Sequence, residues 1–212
     1  MIQEIVILIL FFAVQAFIYN CSTVLACLVC RLPIERVGIF FGKPIFTIQT
    51  KYFPISIGFI PTGGYVKHDV VKFSECSFLN RMTVILSGPL IALLSAFILL
   101  GDVSASRQLI NGFSEIFRGG IAPYEQGVLL IRAFFRVADH SLFLAYGIFV
   151  SKLTALSLLP LSGFVGGRIL GEVAGPQRKF RYPNLLSALN AFVIFPLVVC
   201  WGLALISYFR HR

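Results

Sequence analysis

Acidic side chains are scarce in this sequence: nine Asp and Glu stand among 212 residues, against eighteen Lys and Arg, and only 13% of residues are charged. A soluble domain carries about 25% charged and roughly 45–50% apolar residues. Here the hydrophobic share is 58% and the mean hydropathy +0.89, which argues against a large aqueous core and points to lipid. Histidine is scarcer still. His68, His140 and His211 are the whole complement; none has a second imidazole one helical turn away and none lies in a long apolar run. That excludes a paired-histidine zinc helix. The five cysteines form no secreted disulfide framework, because Cys21, Cys27, Cys30 and Cys200 fall in apolar stretches and only Cys76 does not. The net charge of +9 comes without a compact Lys/Arg block apart from the apolar segments, so nucleic-acid binding is not expected.

What the chain does have is long apolar runs. Four are long enough for a hydrocarbon core about 30 Å thick, at about 5–30, 82–101, 142–162 and 185–209. The first lacks a basic leader and is too long for a cleaved signal, so it is expected to stay as a helix. Between the first two runs lie Arg31, Arg36, Lys43, Lys51, Lys67, Lys72 and Arg81 against three acids; between the last two, Arg168, Arg178, Lys179 and Arg181 face only Glu172. The stretch 102–140 is balanced. Positive-inside bias then places both termini and that stretch outside.

The segment at about 34–73 is built differently. It is rich in Ile, Val, Phe, Tyr and Thr and broken by Gly-Lys-Pro, Pro54 and Pro-Thr-Gly-Gly, which predicts strands and turns. Within 102–140, the run "GVLLIRAFFRVADH" brings Leu129, Leu130, Ala133, Phe134 and Val137 to one helical flank, with Arg132 and Arg136 on another. An interfacial amphipathic helix in an extracytoplasmic loop is expected.

Four pieces, "ERVGIFFGKPIF", "IPTGGYVK", "FLNRMTVILSGPL" and "LSLLPLSGFVGGRIL", resemble in order and spacing the site-2 protease family of intramembrane zinc metalloproteases. The resemblance spans roughly residues 16–101 and 145–172, and the stretch between is too short for a PDZ domain. It implies a single membrane domain over 1–212, with four transmembrane helices and a membrane-associated β-hairpin sheet between the first two. It also implies residence in a bacterial inner membrane. The family's catalytic residues do not carry over. Its HExxH motif falls on Tyr19-Asn20-Cys21-Ser22-Thr23, its third-ligand aspartate on Val165, and two family asparagines on Ala92 and Ser157.

Tyr, Thr and Val cannot supply three N or O ligands to a zinc with one open position, and no carboxylate stands ready as a base. The expectation is therefore a pseudoprotease without metal or cofactor: a scaffold or binding subunit for another integral membrane protein, or for a transmembrane or extended peptide. Segments 36–42 and 53–66, with Gly63, Gly64 and Tyr65, could take an added strand. The alternatives are an active metalloenzyme using Cys21, Cys27 and Cys30 or partner-supplied ligands, and a substrate or ion pathway around Lys152. Lys152 falls about 15 Å down the third run. No acid of the chain is expected at that depth, so it is expected to snorkel or to pair with a partner's acid. Ser157 is the other candidate binding residue on that run.

Overall fold

A computed structural model describes residues 2–161, 163–174 and 183–211. The chain forms two compact units, Met1–Ala92 and Leu93–Arg212.

The first unit opens with α1 (Ile2–Val29), long and apolar enough to cross a bilayer. Its buried side includes Ile7, Phe11, Gln15, Ala16, Asn20, Ala26 and Cys27. Two bent antiparallel strands follow, β1 (Ile34–Gln49) and β2 (Pro54–His68). Gly42, at φ 93, and Phe40, at φ 69, bend β1 so that its second part folds away from its first; glycine accepts such a φ without steric cost. Residues 37–39 consequently pair on one side with 64–66 and register on the other with 55–57, while 44–49 pair with 54–58. A short helix α2 (Val70–Glu75) is capped by Asp69, whose carboxylate accepts from the Val71 and Lys72 amides at 2.9 and 3.1 Å, as a side chain at this position satisfies otherwise orphan donors. The helix α3 (Phe78–Leu100) starts in this unit and ends in the next. Ala26, Cys27, Leu32 and Val84 make the apolar core joining α1 to α3, with Cys30, Ile34, Val66, Phe73 and Cys76 packed around them.

In the second unit, Gly101, at φ 75, ends α3 and starts α4 (Asp102–Ile121). A π-helical turn (Pro123–Gly127) reverses the chain into α5 (Val128–His140), followed by α6 (Leu142–Ser157), α7 (Val165–Ala174) and α8 (Pro183–Arg210). Ile116 packs with Ala155 and Leu159, and Gly112 lies against Lys152 and Ala155, so α4 and α6 run side by side in the same direction. α8 runs opposite to α4: Gly119 faces the Trp201 ring, and Trp201 Nε1 donates to Ile116 O at 3.0 Å. Gly127 meets Ala204, and Phe135 stacks on Tyr208 at 5.5 Å, which sets α5 along α8.

Three expectations change here. The stretch 102–140 is not a loop with one amphipathic helix but a helical hairpin packed on α6 and α8. The helix at 128–140 exists, yet it buries Val128, Ile131, Phe135 and Ala138, while Leu129 is exposed; apolar residues were plentiful enough to outline a second, unburied face. The third apolar run is helical only to Ser157, which makes it about 24 Å long at 1.5 Å per residue. Pro160 follows within one turn and lacks the N–H a continuing helix needs. Among the described residues three helices, Ile2–Val29, Phe78–Leu100 and Ala191–Arg210, are long and apolar enough to span, and Leu142–Ser157 is a shorter apolar helix.

Candidate functional site

The HExxH counterparts lie on the later half of α1, where the helix meets α3 and the sheet. Side chains spaced three or four residues apart on a helix share a face, and Tyr19 and Thr23 do so here. Both are used internally. The Thr23 hydroxyl donates to Tyr19 O at 3.0 Å, Ser22 donates to the same carbonyl at 2.8 Å, and Ser87 Oγ on α3 sits 3.4 Å from Thr23 Oγ1. The Tyr19 ring covers Gly88, where an added Cβ would overlap the aromatic carbons. A glycine one residue before Pro89 thus gives the phenol ring its seat between two helices.

Asn20 turns to the sheet. It is 5% exposed, and a Cβ placed on Gly64 would overlap its amide nitrogen and the Gly38 carbonyl. That nitrogen is buried without a hydrogen-bond partner among the described residues. An unpaired buried donor costs about 1–3 kcal/mol, so its retention calls for an explanation. Gly64 and Tyr65 pair with Ile39 and Gly38, and Gly63 directly precedes them on β2. Gly63 faces the Phe41 ring, and Tyr65 lies across Gly38. The structure therefore brings Asn20 together with the Gly63–Tyr65 segment, a link the sequence did not suggest. Of the expected strand-accepting segments, 37–39 and 55–57 are flanked on both sides and are corrected to interior positions; the outer sides of 44–49 and 64–68 carry no paired strand among the described residues.

Val165, the counterpart of the third ligand, is the first residue of α7 in the second unit and is buried. At the next position, Gly166 lies so close to the Leu158 and Leu159 carbonyls that a Cβ would overlap both. Ser157 donates its hydroxyl back to Thr154 O at 2.8 Å. Lys152 does not await a partner's acid: its ammonium pairs with Glu115 of α4, and both ends are partly buried. The balanced charges of 102–140 concealed that this stretch returns alongside α6. Trp201 and Glu115, the residues that tie α4 into the bundle, were missed for the same reason.

The cysteines do not gather into the Cys21, Cys27 and Cys30 set of the alternative reading. Cys21 is exposed, whereas Cys27 and Cys30 pack with Cys76 around the apolar core between α1 and α3, where Cys30 Sγ lies 3.7 Å from Asn80 O. None of the five forms a disulfide. Among the described residues, no three His, Cys, Asp or Glu side chains converge as a metal-binding group.

Helices of this length and hydropathy mark an integral membrane protein. Its family is shown by sequence: the profile of peptidase family M50, the site-2 proteases, matches residues 7–200, and the chain belongs to that family. No curated protein matches it. The zinc that this family implies does not fit the residues present. A phenol seated on Gly88, a hydroxyl donated to a backbone carbonyl, an amide facing a strand and an aliphatic Val165 do not make the imidazole and carboxylate set such an ion takes.

Proposed function

We propose that this M50 member is a pseudoprotease, a membrane-embedded scaffold or binding subunit that holds another membrane protein or an extended peptide. The observation that supports this most is how the former ligand positions are occupied: Tyr19 and Thr23 are spent on packing and hydrogen bonds that fasten α1 to α3. Catalysis would need an open coordination position and a base. What remains usable without metal is backbone pairing along a sheet edge and apolar helix surface. Phe17, Leu25, Leu90 and Leu94 are exposed on α1 and α3, and in a bilayer such faces contact lipid or partner helices.

In this reading the shorter α6 crosses as a fourth span, both termini are extracytoplasmic and the sheet lies on the cytoplasmic side of a bacterial inner membrane, as the basic residues at 31–81 favour. The runner-up, a metalloenzyme with cysteine or partner-supplied ligands, draws less support. Cys27 is fully buried in an apolar core and Cys21 is exposed apart from it. Extraction in mild detergent, affinity capture and mass spectrometry separate the two. Defined membrane partners held by a chain that cleaves no transmembrane peptide would support the scaffold. Chelator-sensitive cleavage would overturn it.

A further inference from the structure

We infer that Cys30 and Cys76 are an oxidation site, a thiol pair that a peroxide closes into a disulfide between the end of α1 and the corner before α3. The backbone fixes both cysteines at helix ends. After α1, Arg31, at φ 54, turns the chain, and the Leu32 N–H donates to Cys27 O at 2.8 Å. Such a cap holds the helix end in one conformation. The chain then leaves through β1 and returns through β2. Ile34 pairs with His68, and the Asp69 N–H donates to Pro33 O at 3.2 Å, so α2 begins beside the turn that ends α1.

Phe73 of α2 stacks on His68 at 4.7 Å and packs on the α1–α3 core. Cys76 closes α2: its N–H donates to Lys72 O and Phe73 O, and its carbonyl accepts from the Arg81 guanidinium. Cys30 reaches toward the same corner, its Sγ 3.7 Å from Asn80 O in the first turn of α3. The two thiols therefore pack on one apolar core, within electrostatic reach of each other.

Exposure selects this pair among the five cysteines. Cys27 shares the core but is 0% exposed. Cys21 stands outside that core, and Cys200 belongs to α8 in the second unit. Cys30 and Cys76 are only partly buried, which leaves them open to a small oxidant. Hydrogen peroxide passes one oxygen to the Cys76 sulfur, giving a sulfenic acid and one water. The Cys30 sulfur then displaces the sulfenic hydroxyl, which leaves with the Cys30 proton as a second water. The two thiols give up two electrons, and the peroxide takes them. The bond staples α1 to the start of α3 and closes the loop that carries the sheet. A thiol reductant reopens it by exchange.

This inference does not depend on the scaffold reading. To test it, the full chain in detergent is exposed to a few equivalents of hydrogen peroxide, quenched with catalase, denatured, alkylated and mapped by mass spectrometry. Two of the five thiols are expected to escape alkylation, with a Cys30–Cys76 linked peptide, a mass lower by two hydrogens, and full reversal by dithiothreitol. The oxidised chain should unfold at a higher midpoint than the reduced one, because a closed loop restricts the unfolded state. Cys76→Ser and Cys30→Ser should each abolish the linked peptide. A Cys27–Cys30 bond, five alkylatable thiols after treatment, or oxidised cysteines without any linked peptide would overturn the assignment. The wild-type map decides this even where a variant fails to fold.

Discussion

At the scale of single residues, glycines decide how the HExxH counterpart positions pack. Gly88 admits the Tyr19 ring, so Gly88→Leu should overfill the α1–α3 contact and cost about 1–3 kcal/mol, read as a lower unfolding midpoint. Tyr19→Ala in the same chain should recover part of the loss. Gly64→Ala meets two obstacles, the Asn20 amide and the Gly38 carbonyl. It should destabilise the sheet, and adding Asn20→Ala should relieve only the first. Full rescue in thermal unfolding would contradict the geometry. The sequence told which residues stand at positions 19, 20 and 23, and therefore that imidazole and carboxylate are missing. It did not tell that Asn20 is buried against a strand more than forty residues away, because that contact depends on the bend at Phe40–Gly42 and on the register of β2. The tight seat for Tyr19 was half legible, since Gly88-Pro89 stood out only as a family motif.

Among elements, the instructive case is the hairpin α4–α5. Its four arginines and four acids, with a modest apolar share, read as an extramembrane loop. The charges, however, are placed helix-wise: Glu115 reaches Lys152, and Arg107 and Arg118 are exposed on α4. A composition average cannot express this, because pairing depends on which helix lies alongside. Breaking the pair should be costly and reversible by symmetry. Lys152→Leu should destabilise the chain by less than the roughly 3–5 kcal/mol expected for a fully buried pair, because both ends are only partly buried, and Lys152→Leu/Glu115→Leu should restore most of it. If Lys152 instead served a partner's acid, the double substitution would remain as impaired as the single one and would shed that partner. Trp201→Phe tests the same packing more gently: losing the bond from its Nε1 to Ile116 O should cost about 1 kcal/mol. By contrast, the strands between α1 and α3 and the long apolar helices were readable in advance. β-branched and aromatic runs punctuated by Gly and Pro, and uninterrupted apolar runs, are local signals that tertiary context does not reverse. The shortening of α6 was readable too, from Pro160, but apolar continuity through Leu161 outweighed it.

For the whole molecule, membership in family M50 over residues 7–200 sets a sharp contrast between inherited architecture and altered chemistry. Spanning helices and a sheet between the first two persist, while hydrogen bonds and an aromatic seat stand where ligands would be. Tyr19 and Thr23, at two of the HExxH counterpart positions, bind α1 to α3, and under the proposed reading peptide or partner binding is the work left to the core. The most direct test is the zinc-to-protein ratio of the detergent-purified full chain, measured by elemental analysis before and after dialysis against chelator. The account predicts substoichiometric zinc with no change in thermal unfolding on chelation. One zinc retained per chain, whose removal lowers the unfolding midpoint, would contradict it.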